Sequence, residues 1–257
     1  KSYNSQHGVA ERMFENCKVI STSIDELTSV KIPYKKPFLL NIVIDAVKYE
    51  FYIRIKNKSK RIISFGSGAF KPSQMSLPVF QRHSWIHDMD DTLIFYNDPT
   101  LYLSKLTLGW GVGDKKTHYL EVISKIIDVL RQRLGVERKQ TFFYGSSAGG
   151  FMSMMLAASI KGSTAIVNNP QTIVTNYKQK QVDKLLSAIN MTEEEIKRDY
   201  LHRINVVEYF KMNSHIPNVY YKQNMSVEHD VNNHLIPFLK DLNNLNKDFN
   251  DAIHLNL

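Results

Sequence analysis

The spacing of apolar positions changes several times along the chain, and each change predicts an element. PFLLNIVIDAVKYEFYIRIKNKSKRIISFGSGAF (37–70) is rich in branched and aromatic residues, which suits two or three strands. Within it NIVIDAVKYEFYIRI reads as an antiparallel pair, and RIISFGSGAF as a short buried strand ending in a glycine turn. DDTLIFYNDPT is another buried strand, closed by Asn97, Asp98 and Pro99. The period then turns helical: Leu120, Ile123, Ile126, Ile127 and Leu130 share one face, and Gly135 predicts the C-terminal cap. TFFYGSSAGGFMSMMLAASI (141–160) passes from strand formers through a glycine turn into an apolar helix. STAIVNNPQT follows as a strand that stops at a polar turn.

From Lys178 to Lys211 the pattern is polar and helical, with a capping box from Thr192 to Glu195. Residues 175–212 therefore read as a helical insertion over a sheet. NVYYKQN resumes the sheet, DVNNHLIPFLKDLNNL is a helix, and DAIHLNL is a last strand. The first thirty or so residues are polar and mixed, with Ser23 and Glu26 placed as the start of a helix. Strands that alternate with helices predict an α/β fold: a mostly parallel sheet, helices on both faces, antiparallel strands at the N-terminal side. Residues 1–257 read as a single domain.

Composition narrows the class. The chain has 257 residues, 43% hydrophobic and 23% charged, which is ordinary for a globular protein. No apolar run reaches the roughly 18 residues of a membrane span, so peripheral membrane association is the most to expect. The opening KSYNSQHGVAERMFENCK is too polar for a signal peptide. One cysteine, Cys17, rules out an intrachain disulfide and fits a reducing, cytoplasmic setting. A formal charge of +8 suggests an anionic partner. The lysines are dispersed, no zinc-ligand spacing is present and no aromatic-basic motif stands out, so neither a metal nor nucleic acid is expected.

The candidate chemistry sits in the glycine turn. A serine on a sharp strand-to-helix turn needs small residues two positions either side, because larger ones would collide. Gly145, Ser147 and Gly149 meet that requirement, with Ala148 and Gly150 also small; Ser146 precedes the apex. The head of the following helix aims N–H groups at a developing oxyanion. Ala148 N–H is one expected donor, and the loop Gly66, Ser67, Gly68 offers the second. The other reading is a glycine-softened joint.

A serine nucleophile needs a base, and the base an orienting carboxylate. The acid is expected in QNMSVEHDVNNH, where Val227 holds the usual position and Glu228 and Asp230 flank it; Glu228 is favoured. Both carboxylates equally suit the head of the next helix. Nine histidines are present. His7 lies in the polar opening, His83 and His87 flank Trp85, His118 precedes a helix, and His202 and His215 belong to the insertion and its exit. His234 reads as half-buried packing, and His254 lies inside the last strand rather than after it. Three readings stay open: the base follows Leu257 on a chain that continues, His229 substitutes, or the protein is not a triad enzyme. In GWGVG (109–113), Trp110 is a candidate to stack on a sugar and Gly111 to shape a binding loop; a packing tryptophan is the alternative.

RIISFGSGAF, TFFYGSSAGGFMSMMLA, AIVNNPQTIVTNY and HDVNNHLIPFL together resemble α/β-hydrolase-like proteins of bacterial surface-polysaccharide loci, among them serine-dependent capsule O-acetyltransferases. The resemblance runs from about Lys60 to the end, and its most specific part is the elbow followed by Asn169, Pro170 and Gln171. It implies acyl transfer to sugar hydroxyls with acetyl-CoA as donor and Ser147 as nucleophile. It also admits relatives that hydrolyse esters and relatives that serve in assembly without catalysis.

Overall fold

The computed structural model describes residue 14, residues 16–245 and residues 247–257; His7 lies outside them. The strands are β1 (Lys18–Thr22), β2 (Phe38–Ile44), β3 (Val47–Arg54), β4 (Ile62–Phe65), β5 (Thr92–Tyr96), β6 (Thr141–Ser146), β7 (Thr164–Asn168), β8 (Asn218–Lys222) and β9 (Ile253–Asn256). They form one sheet in the order β1-β2-β3-β5-β4-β6-β7-β8-β9. From β5 to β9 every pairing is parallel, while β3 runs against both its neighbours.

Alternation along the strands sorts the side chains into two clusters. Leu40, Ile62, Ile94 and Phe143 join the large core, whereas Leu39, Ile63, Leu93, Phe95 and Tyr144 join a smaller one with Phe80 and Ile86. Neighbours in sequence point to opposite faces. The large core is covered by α1 (Tyr119–Arg133), α2 (Ala148–Ser159) and the later helices. A 3-10 helix, His83–His87, contributes Ile86 to the smaller one. Helix α1 buries the expected stripe, and Gly135 follows its C-cap at φ 66. Helix α2 is buried from Ala148 through Ala158, as its uniformly apolar sequence requires.

Between β7 and β8 lie α3 (Gln179–Ile189), α4 (Glu193–Asp199), α5 (Leu201–Ile204) and α6 (Val206–Met212). The capping box at Thr192 and Glu195 is formed in both directions. After β8 come a helical turn Glu228–Asp230, a π-helical stretch Val231–Leu235 and α7 (Ile236–Asn243). The N-terminal expectation needs correction. Residues KVIST form β1, parallel to β2, and Ser23 heads only a 3-10 turn, Glu26–Thr28, through a hydrogen bond from Glu26 N–H to Ser23 Oγ at 3.2 Å.

Candidate active site

Strand β6 ends at Ser146, and Ser147 follows at φ 55 and ψ −124 before α2 begins. A β-carbon makes that conformation strained, and such strain persists only where the surroundings enforce it. They do so here. Ser147 N–H donates to Asn168 C=O at 3.2 Å, and Ser147 C=O accepts from the N–H groups of Gly150, Phe151 and Gln171. A β-carbon on Gly149 would stand 2.5 Å from Gly66 C=O, and one on Gly145 would overlap the Gly149 carbonyl. The glycines flanking Ser147 are therefore required by close backbone approach.

Ser147 is half-buried, at the carboxyl edge of the sheet. Its Oγ accepts a hydrogen bond from Gln171 Nε2 at 2.6 Å. Gln171 is itself 2% exposed, and its Oε1 accepts from the Trp110 indole N–H at 3.0 Å. This corrects the expectation for residues 109–113. Trp110 is 0% exposed and cannot stack on a sugar; it holds Gln171. Gly111, at φ 64, donates its N–H to Asp98 Oδ2 at 2.8 Å and lies too close to Leu120 to admit a side chain. It is a buried turn residue.

The NNPQ segment after β7 acts residue by residue. Asn168 Nδ2 donates to Tyr144 Oη at 2.7 Å. Asn169 Oδ1 accepts from Asn224 N–H at 2.7 Å, joining this loop to the one after β8. Pro170 leaves Gly150 no room for a β-carbon, and Gln171 reaches the serine.

The loop after β4 approaches from the other side. A β-carbon on Gly68 would stand 3.6 Å from Ser147 Cβ. Gly68 N–H is taken by Gln81 Oε1 at 2.9 Å. Ser67 Oγ accepts from Gln81 N–H at 3.1 Å, so the same glutamine orders both residues. Gly66 N–H is taken by Tyr144 C=O at 3.0 Å, so of Gly66, Ser67 and Gly68 only Ser67 keeps an N–H with no hydrogen-bond partner among the described residues. Ala148 N–H heads α2, where the first N–H groups have no carbonyl one turn earlier.

Arg82, which sequence reasoning missed, also reaches this edge of the sheet. Its Nη2 donates to Ser146 Oγ at 2.9 Å, and its guanidinium lies over the rings of Tyr144 and Trp85. It places a cation one residue from Ser147.

The acid loop is less convergent. Glu228 is exposed. His229 Nδ1 lies 3.6 Å from Asp230 Oδ1, and its ring meets those of Tyr177 and His234. Among the described residues, none of these three side chains is hydrogen-bonded to Ser147. His234 is fully buried rather than half-buried. Its Nδ1 accepts from Thr172 N–H at 3.1 Å, and burial pushes its pKa down to about 4. His254, in β9, stacks on Tyr220 of the neighbouring β8. A cleft of about 430 Å³ opens at the ends of β7, β8 and β9, lined by Asn168, Lys222, Gln223 and Asn256 among others.

The sequence matches no protein-family profile and no curated protein. Solved structures do share its fold. The capsule O-acetyltransferase of Neisseria meningitidis serogroup A superposes with a TM-score of 0.65 at 16% identity, over 90% of this chain and 88% of that one. A histidine-to-alanine variant of that enzyme in complex with CoA gives 0.62 at 16% identity, over 90% and 91%. FphF, a fluorophosphonate-binding serine hydrolase of Staphylococcus aureus, gives 0.55 at 11% identity, over 87% and 90%. At these identities the likeness establishes an α/β-hydrolase-like fold.

Proposed function

We propose that this protein transfers an acetyl group from acetyl-CoA to a hydroxyl of a bacterial capsular or other surface polysaccharide, through an acetyl-Ser147 intermediate. The observation that carries the reading is Ser147 held at φ 55 at the head of α2, with its Oγ oriented by Gln171. The neighbour bound to CoA supports a thioester donor.

In the first step Ser147 Oγ attacks the thioester carbonyl. The oxyanion lies against Ala148 N–H and Ser67 N–H, beside Gly68. The C–S bond breaks and the thiol of CoA leaves with the proton taken from Ser147. In the second step a sugar hydroxyl attacks acetyl-Ser147, the ester bond to Oγ breaks, and the acetylated sugar departs. Each step needs a histidine to move the proton. In this fold the base follows the last strand of the sheet, and its carboxylate comes from the loop after the preceding one. Here that strand is β9, and Glu228 or Asp230 supplies the acid; His229, paired with Asp230, is the alternative base. Arg82 and Lys222 offer positive charge to the phosphates of CoA and to an anionic polymer. No helix among the described residues is long and apolar enough to cross a membrane. A CoA donor places the reaction in the cytoplasm.

The same serine with water as acceptor is an esterase, and the likeness to FphF favours that second reading. A fluorophosphonate probe should label the full-length protein at Ser147 and leave Ser147→Ala unlabelled. Absence of labelling overturns both readings. Incubation with acetyl-CoA and polysaccharide then separates them: acetylated polymer supports transfer, and free acetate alone supports hydrolysis.

A further inference from the structure

We propose that His118, Glu121 and His202 form a zinc site that ties the head of α1 to the helical insertion. His118 is the N-cap residue of α1, Glu121 lies in its first turn, and His202 comes from α5. Each offers one ligand atom, and the three atoms lie within 4.8 Å of one another. His118 Nδ1 stands 3.8 Å from Glu121 Oε1. That is too long for a hydrogen bond. It is close to the spacing between two ligands of a tetrahedral zinc, roughly 3.3–3.6 Å when each bond is about 2.0–2.2 Å.

A second observation points the same way. His118 is 3% exposed, and neither of its ring nitrogens has a hydrogen-bond partner among the described residues. Buried imidazoles left unpaired at both nitrogens are costly and uncommon. A metal ion bound at Nδ1 would satisfy that nitrogen's lone pair. Two imidazoles and one carboxylate suit zinc and leave a fourth position for water. The nearby cation, Arg203, donates from Nη1 to the carbonyls of Val112, Asp114 and Thr117.

The site lies at the far end of α2 from Ser147. The His118 ring packs edge-on against Tyr209 of α6, and Tyr209 Oη is hydrogen-bonded to Ser159 Oγ at the end of α2. Ser147 is at the other end of that helix, about 18 Å away along its axis at ~1.5 Å per residue. The proposal therefore does not rest on the acyl-transfer reading. The other cluster of this type, His229, Asp230 and His234, is a poorer match. His234 Nδ1 already accepts from Thr172 N–H, so its neutral ring carries the proton on Nε2 and has no lone pair to give.

The test uses the chain stripped of metal by a chelator and titrated with zinc chloride against a chromogenic competitor. One zinc per chain is expected, with a rise in Tm of several degrees at saturation. Glu121→Gln and His202→Ala change only part-exposed side chains, so both should fold. Each should weaken zinc binding at least about tenfold and lose the Tm rise. Ser147→Ala and His229→Ala should bind zinc as the parent does. The proposal is overturned if micromolar zinc is not taken up, if uptake survives both ligand variants, or if His229→Ala abolishes it.

Discussion

The side-chain amide of Gln171 donates to Ser147 Oγ at 2.6 Å, across 24 residues of sequence. This bond occupies one lone pair of the hydroxyl and restricts its rotation. With Trp110 fixing the far end of the amide, the serine is held by a buried relay of side chains.

Replacing that amide should therefore hurt both fold and chemistry. Gln171→Ala leaves the Trp110 indole N–H without an acceptor, a loss of about 1–3 kcal/mol in urea unfolding. Fluorophosphonate labelling of Ser147 should slow by about tenfold or more. Gln171→Glu keeps an acceptor for Trp110 but removes the donor to Ser147. Its buried carboxylate should cost stability as well, and little of the labelling rate should return. Equal labelling in all three proteins would show that the bond has no part in orienting the serine.

Strain at Ser147 predicts an order of stabilities. Ser147→Ala and Ser147→Gly both remove the hydroxyl, but only glycine is at ease at φ 55. The glycine variant should be the more stable by about 1 kcal/mol, with neither variant labelled. Thermal melts of the pair decide this directly. Gly149→Ala, by contrast, should lose about 1–3 kcal/mol, because its β-carbon meets Gly66 C=O.

Arg82 should govern binding more than chemistry. If it meets an anionic group of the donor or acceptor, Arg82→Ala raises KM about tenfold or more, with kcat nearly kept. Lysine should rescue poorly, since it lacks the planar group that stacks on Tyr144 and Trp85. An unchanged KM for every substrate tried would remove Arg82 from the site.

Acid stability should depend on His234. Its ordinary pKa of 6.5 falls to about 4 in the folded chain, chiefly through burial. Between those values the unfolded state binds the extra proton, so stability rises with pH across this window and is lost as pH falls towards 4. At ~1.4 kcal/mol per pH unit the gap is worth roughly 3 kcal/mol. The lowered value of His215 acts in the same direction. Urea titrations from pH 7 to pH 4 should show a shallower slope for His234→Gln than for the parent.

Local chemistry was legible in the sequence. The antiparallel pair, the stripe of α1, the capping box at Thr192 and the glycines around Ser147 depend on neighbours a few residues away, and a linear pattern records such neighbours. Strand β1 escaped because only Ile20 of its five residues is buried, too little contrast to mark an edge strand. His234 and Trp110 were misjudged for a different reason. Glycines on both sides of Trp110 suggest an exposed loop, but burial belongs to the packed whole.

Backbone preference and side-chain period are encoded locally, and they sufficed for the α/β class, the run of strands and helices from β2 onward and the elbow at Ser147. Tertiary structure alone decided which distant groups meet. Gln171 reaches Ser147, Arg82 reaches Ser146 across 64 residues, Asn169 clasps Asn224, and His202 comes within ligand range of His118. Those contacts depend on sheet order and helix packing, where a few ångströms in three dimensions separate residues that no spacing along the chain connects.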